Sequence, residues 1–287
     1  MAAQPTPEEI ARRKREFREK AMAAFPFELL EAAGDRALAT WEQLRDGGHG
    51  FPVVIGGDDS LDLLIGPFGP NYPNQRTAAE ILAAASTIRH PGDIAAHMAD
   101  GEAKAREYLR QLLKSRPDAP LPKMIVTDSN GTRELTREET WAAMLREKTP
   151  PPAGEWPAEA EPLPELSVAR TYRGVLPKVY IALVPTDDWT TVPAHLRYGG
   201  WNACPLPEYH VAALRSWRDR YGAELIGLSF DRMDLRVTRR PQSRAEALEL
   251  AREHYIYCND IVDQGLGTLS ALAACLMAND LWEFWWD

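Results

Sequence analysis

The sequence predicts an α+β protein: a helix-rich N-terminal half with few strands, then a C-terminal mixed or antiparallel sheet packed by helices. Three observations carry this. Strand-like runs in the second half come in pairs, whereas a doubly wound parallel sheet would alternate strand and helix strictly. Thr77-x-x-Glu80, Thr136-x-x-Glu139 and Ser243-x-x-Glu246 have capping-box spacing and announce helices on both sides of the chain. Between them, residues 149–166 (TPPPAGEWPAEAEPLPEL) are proline- and acid-rich and lack periodicity, as in an extended linker or a surface-draped loop.

The elements follow in order. Thr6-Pro7-Glu8-Glu9 supplies an N-cap, a proline at the first helical position and first-turn acids, so a helix runs from about residue 7 to Ala24. Its Arg12-Arg13-Lys14-Arg15 run interleaves with Glu16 and Glu19 and reads as a solvated face rather than a nucleic-acid arm. A helix over Asp35 to Arg45 ends at Gly47-Gly48, and Phe51-Pro52-Val53-Val54-Ile55 is a buried strand stopped by Gly56-Gly57. Asp58 and Asp59 at its exit suit either a ligand or an ordinary polar loop. One or two helices span Asp93 to Ser115, and Lys123 to Val126 reads as a strand. Further on, Val179 to Val184 is a strand and Leu206 to Tyr221 a helix. Glu224 to Phe230 and Met233 to Val237 pair around Asp231-Arg232, and helices open after Ser243 and at Thr268. The expected organisation is a helix-rich region 1–148 with its strand at 51–56, a Pro/Glu-rich linker 149–168, and an α+β domain 169–287.

Composition narrows the function classes. The hydrophobic fraction of 45% and charged fraction of 26% are those of a globular protein. With 33 basic against 42 acidic residues the net charge is -9, which opposes nonspecific binding to nucleic acid or anionic membrane and favours a basic protein partner. Cys204, Cys258 and Cys275 have neither disulfide-framework nor zinc-ribbon spacing. No apolar leader and no run of about 18 apolar residues occurs, so the chain reads as soluble and cytoplasmic. The phosphate loops GxGxxG and GxxxxGK[ST], the hydrolase GxSxG, the zincin HExxH and the EF-hand loop are all missing, and no cofactor is implied.

Four constellations remain. Ala247, Leu250, Ala251, His254, Cys258 and Ile261 form one apolar helix stripe. There His254 and Cys258 at i, i+4 can share a metal or form a nucleophile pair, or else pack as a buried imidazole over a small thiol. A third ligand would come from Cys204, His210 or Asp231 by type alone. In Tyr198-Gly199-Gly200-Trp201-Asn202-Ala203-Cys204-Pro205, two glycines can present Trp201 and Asn202 to a cleft or make a turn with a tryptophan plug. From Glu253 onward there is no lysine or arginine, whereas Glu253, Asp260, Asp263, Asp280, Glu283 and Asp287 are acidic. Cations must answer that run, from the Arg236-Arg239-Arg240 region, the first helix or another protein. Last, Leu281-Trp282-Glu283-Phe284-Trp285-Trp286-Asp287 reads as a terminal strand: Trp282, Phe284 and Trp286 face the core, and Glu283, Trp285 and Asp287 face out.

The blocks GGWN-x-CP (Gly199–Pro205), Arg220-Tyr221-Gly222-Ala223-Glu224, Tyr257-Cys258-x-Asp260-Ile261-Val262-x-Gln264-Gly265 and Trp282-x-Phe284-Trp285-Trp286-Asp287 resemble domain-of-unknown-function family 4253 over roughly residues 175–287. The resemblance implies a bacterial source and a shared fold, and it carries over no catalytic residue. Two functions follow. One is a non-enzymatic acidic protein-binding module, immunity- or adaptor-like, with Trp285 and Asp287 on its surface. The other is an enzyme or small-ligand or metal-binding protein with a cleft around Trp201, Asn202, His254 and Cys258, joined by Asp231; Asp260 is a further ligand- or partner-binding candidate.

Overall fold

The structure, a computed structural model, describes residues 6–70, 72, 76–128, 131–146, 149–163 and 165–287. Residues 1–5 of the expected leaderless N-terminus, residues 147 and 148 at the end of the expected helix-rich region, and residue 164 of the expected linker lie outside the described residues. By its internal contacts the chain divides into two compact units, Met1–Ile94 with Pro152–Asp287, and Ala95–Pro151.

The first unit opens with α1 (Pro7–Ala24), whose Thr6 and Glu9 close a reciprocal capping box. Next come β1 (Glu28–Ala32), α2 (Ala37–Asp46), β2 (Phe51–Gly56), α3 (Asp58–Leu64) and α4 (Ala78–Ala85). Long α5 (Gly92–Ser115) runs on into the second unit, which also holds the hairpin β3 (Ile125–Asp128) and β4 (Gly131–Glu134), and then α6 (Arg137–Leu145). The boxes at Thr77 and Thr136 cap α4 and α6 as their spacing predicts.

Back in the first unit, a 3-10 turn, Ser167–Ala169, precedes the short pair β5 (Arg170–Thr171) and β6 (Gly174–Val175). Then follow β7 (Val179–Val184), α7 (Val192–Leu196), α8 (Pro207–Tyr221), β8 (Glu224–Leu228), β9 (Arg232–Arg236) and α9 (Arg244–Tyr257). A π-helical turn (Ile261–Leu266), α10 (Leu269–Ala278) and β10 (Leu281–Trp285) complete it.

One mixed sheet of six strands, ordered β1-β7-β2-β8-β9-β10, organises the unit, with only β2 and β8 parallel. Its strands therefore come from both sides of the proline-rich segment. β2 sits inside the sheet and every one of its residues is buried, which explains its unbroken apolar run. Pro52 is tolerated in so central a strand because β2 meets β8 only at Val54, opposite Gly227, and no ladder bond is demanded of its missing N–H.

The proline-rich segment itself is draped on α10. Pro152 and Ala153 carbonyls accept from the Leu269 and Ser270 amides. Farther along, the Glu161 carbonyl accepts from Asn279 Nδ2 at 2.9 Å, and Arg244 lies over the Trp156 ring. β1 is an element that sequence reading passes over. Its Glu28 and Glu31 break the apolar pattern, as charges on an edge strand do.

Candidate functional site

The last strand is the centre of the site. β10 pairs antiparallel with β9 in a register that sets Trp282 opposite Leu235, Glu283 opposite Asp234 and Phe284 opposite Met233. Alternation then decides each ring's fate, as the sequence predicts. Trp282, Phe284 and Trp286 are buried at 2% exposure or less, Glu283 and Trp285 are half-buried, and Asp287 is exposed. On the buried face Phe284 stacks on Trp217 of α8 at 5.3 Å and meets Tyr257 of α9 edge-on at 5.0 Å. Each such aromatic pair adds roughly 0.5–1.5 kcal/mol beyond area burial.

His254 sits in that ring cluster, 4.9 Å from Trp217, 4.7 Å from Trp282 and 4.8 Å from Phe284. Burial drives its imidazole down to about 3, so it is neutral, and its Nε2 has no partner among the described residues. Cys258, one turn on, is on the same stripe and its amide donates to the His254 carbonyl at 2.8 Å, but its thiol turns away from the imidazole. Its thiol donates to the Trp285 carbonyl at 2.9 Å, and burial pushes its pKa well up. A different His and Cys do meet. Cys204 Sγ lies 3.5 Å from His210 Nε2, whose Nδ1 is 2.5 Å from the Tyr257 hydroxyl. All three residues are buried, and desolvation holds His210 near 3. Among the described residues no three His, Cys, Asp or Glu side chains gather as a metal site.

The remaining candidates converge on the tail. Asn202 Nδ2 donates to the Asp287 carbonyl at 3.1 Å, and Asp260 Oδ2 accepts from the Asp287 amide at 3.0 Å. Asp231 offers its carbonyl to the Trp286 amide at 3.0 Å. Trp201 makes no such bond and stacks on Phe230 at 4.6 Å. The glycines before it are required by geometry. Gly199 has φ +102°, and a Cβ there would stand 2.0 Å from the Pro205 carbonyl oxygen. Six residues singled out from separate blocks of sequence thus meet on one strand: Asn202, Asp231, Cys258 and Asp260 by hydrogen bonds to its end, His254 by packing on its rings, Trp285 as part of it.

The acidic run is answered largely within the unit. Arg220 bonds Glu253 at 2.7 Å, Arg240 reaches Asp280 at 3.2 Å and Arg232 holds Glu283 at 3.0 Å. Burial would raise Glu253, yet His90 and Arg220 bring it down to about 2. Of Arg236, Arg239 and Arg240, Arg240 serves here, whereas among the described residues Arg236 is taken by Glu42 and Glu224 and Arg239 by the Asp219 and Arg220 carbonyls.

On the other face of β10 the structure reveals a group that the sequence reading passed over. Asp234, facing Glu283 across the ladder, is 3% exposed. Its carboxylate accepts from Ser167 Oγ at 2.7 Å and from the Val168 amide at 3.0 Å, and so holds the 3-10 turn against the sheet. Gly227 makes room for that turn, since a Cβ there would lie 2.4 Å from the Val168 side chain. Burial raises Asp234 to about 7 against those two hydrogen bonds, and Glu283 is likewise raised by burial despite Arg232. Strict alternation in Met233-Asp234-Leu235 was the available signal: an acid between two core residues lies on the opposite face of the same strand.

Beside β10 lies a pocket of about 220 Å³. The π-helical turn and α10 form its apolar wall through Ile261, Leu266, Leu272 and Leu276. Trp285 and the carboxyl residues Glu161 and Glu283 complete its chemistry, with His254 behind them and no lysine or arginine in the lining. Such a space fits an apolar group carrying a cationic or hydrogen-bonding head.

No helix among the described residues is long and apolar enough to cross a membrane. No curated protein and no solved structure matches the chain. Residues 180–287, from within β7 through β10 and holding all the tail contacts described above, match the family described as a domain of unknown function (DUF4253).

Proposed function

We propose that this chain is a non-enzymatic binding protein, and that its recognition site is the pocket beside β10. The pocket's lining carries the reading: an apolar wall, one half-buried tryptophan and two carboxyl groups, with no cation among them. A basic protein segment with an aliphatic or aromatic neighbour is the partner this chemistry favours, in line with the net charge of -9. Three groups able to do covalent or acid–base chemistry are engaged otherwise. Cys258 donates to a carbonyl, Cys204 faces His210 inside the core, and His254 is neutral in an aromatic cage. General acid–base work favours a group poised near the working pH and in reach of substrate, which none of these three is.

The test is capture of a partner from the native host by the intact protein, followed by calorimetry. Trp285→Ala and Glu283→Gln are expected to weaken binding at least tenfold, while Cys258→Ser leaves it within about twofold. Equal affinity for wild type and both pocket variants, or no partner at all, counts against the reading. So does stoichiometric metal in freshly purified protein together with rapid modification of Cys258 by a thiol reagent.

A further inference from the structure

We infer that the pocket receives an extended segment of a partner protein, which adds to the sheet as a strand beyond β10. This rests on the binding reading above and specifies how binding occurs. The register is the first ground. Val237 donates to Asp280 and Trp286 to Asp231, so residues 280, 282, 284 and 286 turn their peptide groups toward β9. Leu281, Glu283 and Trp285 then turn theirs outward. The Trp285 carbonyl is taken by Cys258, and just beyond it the Asp287 amide is taken by Asp260. No described residue bonds to the backbone of Leu281 or Glu283, or to the Trp285 N–H. One end of this edge is therefore clasped and the other is open.

The second ground is what stands opposite. Sheet edges are commonly covered by a helix or loop. Here α10 packs against α9 and the π-helical turn, and between these helical elements and the open edge lies the pocket. The open peptide groups are thus beside a cavity with an apolar wall, an arrangement suited to strand addition. Main-chain bonds supply affinity and alternate side chains enter pockets. The opposite edge of the sheet, β1, carries exposed Glu28 and Glu31 instead.

Charge selects the occupant. Glu161 is exposed; Glu283 is half-buried and shares its charge with Arg232 at 3.0 Å, but the lining itself holds no lysine or arginine, so a segment alternating aliphatic and basic residues fits. A second copy offering its own β10 would bring Glu283 and Asp287 to an edge that is already acidic, and like charges across a strand pair destabilise it. A basic segment of another protein is therefore the occupant.

A displayed library of random peptides, panned against the intact protein, tests this. Selected peptides are expected to place lysine or arginine next to an aliphatic residue. N-methylation of their amides one at a time should weaken binding roughly tenfold at alternate positions and little between them, the loss expected for a main-chain hydrogen bond. Glu283→Pro removes an outward N–H that Glu283→Ala keeps, and also fixes φ, and it should bind roughly tenfold more weakly than the alanine variant. If the proline variant melts well below the alanine one, the methylation series decides alone. Peptides that need Trp285 yet ignore methylation at every position overturn strand addition and leave the binding module standing. Failure to select any peptide above background overturns strand addition too, and the captured host partner then tests the broader reading separately.

Discussion

The two faces of β10 are one peptide bond apart and serve opposite ends. Trp282, Phe284 and Trp286 are packed among Trp217, His254 and Tyr257 in a closed ring cluster. Glu283 and Trp285 lie half-buried on the other face, near a carboxyl group that burial has raised to about 7, and the cavity at the strand's edge is lined by them together with Trp282 and His254 of the cluster. On the first face His254 is neutral, while the indole N–H groups of Trp217, Trp282 and Trp286 have no partner among the described residues. The second holds charge under partial desolvation, a cost that structures retain chiefly where something is to be bound or switched. Fold and recognition can therefore be altered separately by moving one residue along the chain.

The harshest way to break that comparison is to remove the strand. Deleting residues 282–287 takes three buried rings out of the core and bares the edge of β9, and the product is expected to be insoluble; a soluble, cooperatively melting truncation would contradict the role given to the even face. A fragment of residues 169–287 asks the same of the other side of the sheet. Without β1 and β2, β7 has no neighbour and β8 loses one, so no cooperative thermal transition is expected. A sharp melt of the fragment would instead support an independent domain beginning at 169. Next in size is Phe284→Ala, which leaves a cavity between Trp217 and Tyr257 and is expected to cost about 3–5 kcal/mol by denaturant unfolding.

Asp234 sharpens the comparison through pH. Its carboxyl is protonated more readily in the fold than in the unfolded chain, where the pKa is near 3.8. Below that value both states are protonated and nothing is lost. As pH rises from about 4 to about 7 the unfolded state releases its proton first, so stability falls, and above about 7 the loss levels off. Asp234→Asn keeps the shape and can still accept from Val168 and donate to Ser167. Its stability relative to wild type is expected to rise by on the order of 3 kcal/mol between pH 4 and pH 8. A pH-independent difference would show that the buried carboxylate is better solvated than its 3% exposure implies.

Much of this was legible beforehand, and the limits have physical causes. Capping at Thr77, Thr136 and Ser243 is local, and alternation in the tail is local, so both were readable from a few residues. The strand at 51–56 announced its burial by composition, yet nothing local says that it lies between β7 and β8. The i, i+4 spacing of His254 and Cys258 gave a shared helix stripe. It could not show that the thiol finds a carbonyl 27 positions away or that the His–Cys contact forms between Cys204 and His210. Asn202 stands out beside its glycine turn, Asp231 as a metal ligand by type and Asp260 in the acidic run, and their common target, the end of β10, is a long-range fact. The pocket is of the same kind, since its walls come from elements up to 124 residues apart, Glu161 to Trp285.

Trp285→Ala gives the smallest effect on stability and the most informative one. The ring is half-buried, it is missing from the stacked cluster of Trp217, Phe284 and Trp286, and its carbonyl bond to Cys258 belongs to the backbone and survives the substitution. The expected cost is therefore about 1 kcal/mol, well below that of Phe284→Ala one residue earlier. Partner affinity should move in the opposite order, at least tenfold for Trp285→Ala and little for a Phe284→Leu variant that remains folded. Chemical denaturation and calorimetry on the same preparations measure both. If Trp285→Ala proves as destabilising as Phe284→Ala, the outward face is part of the core after all, and the division between fold and recognition on β10 fails.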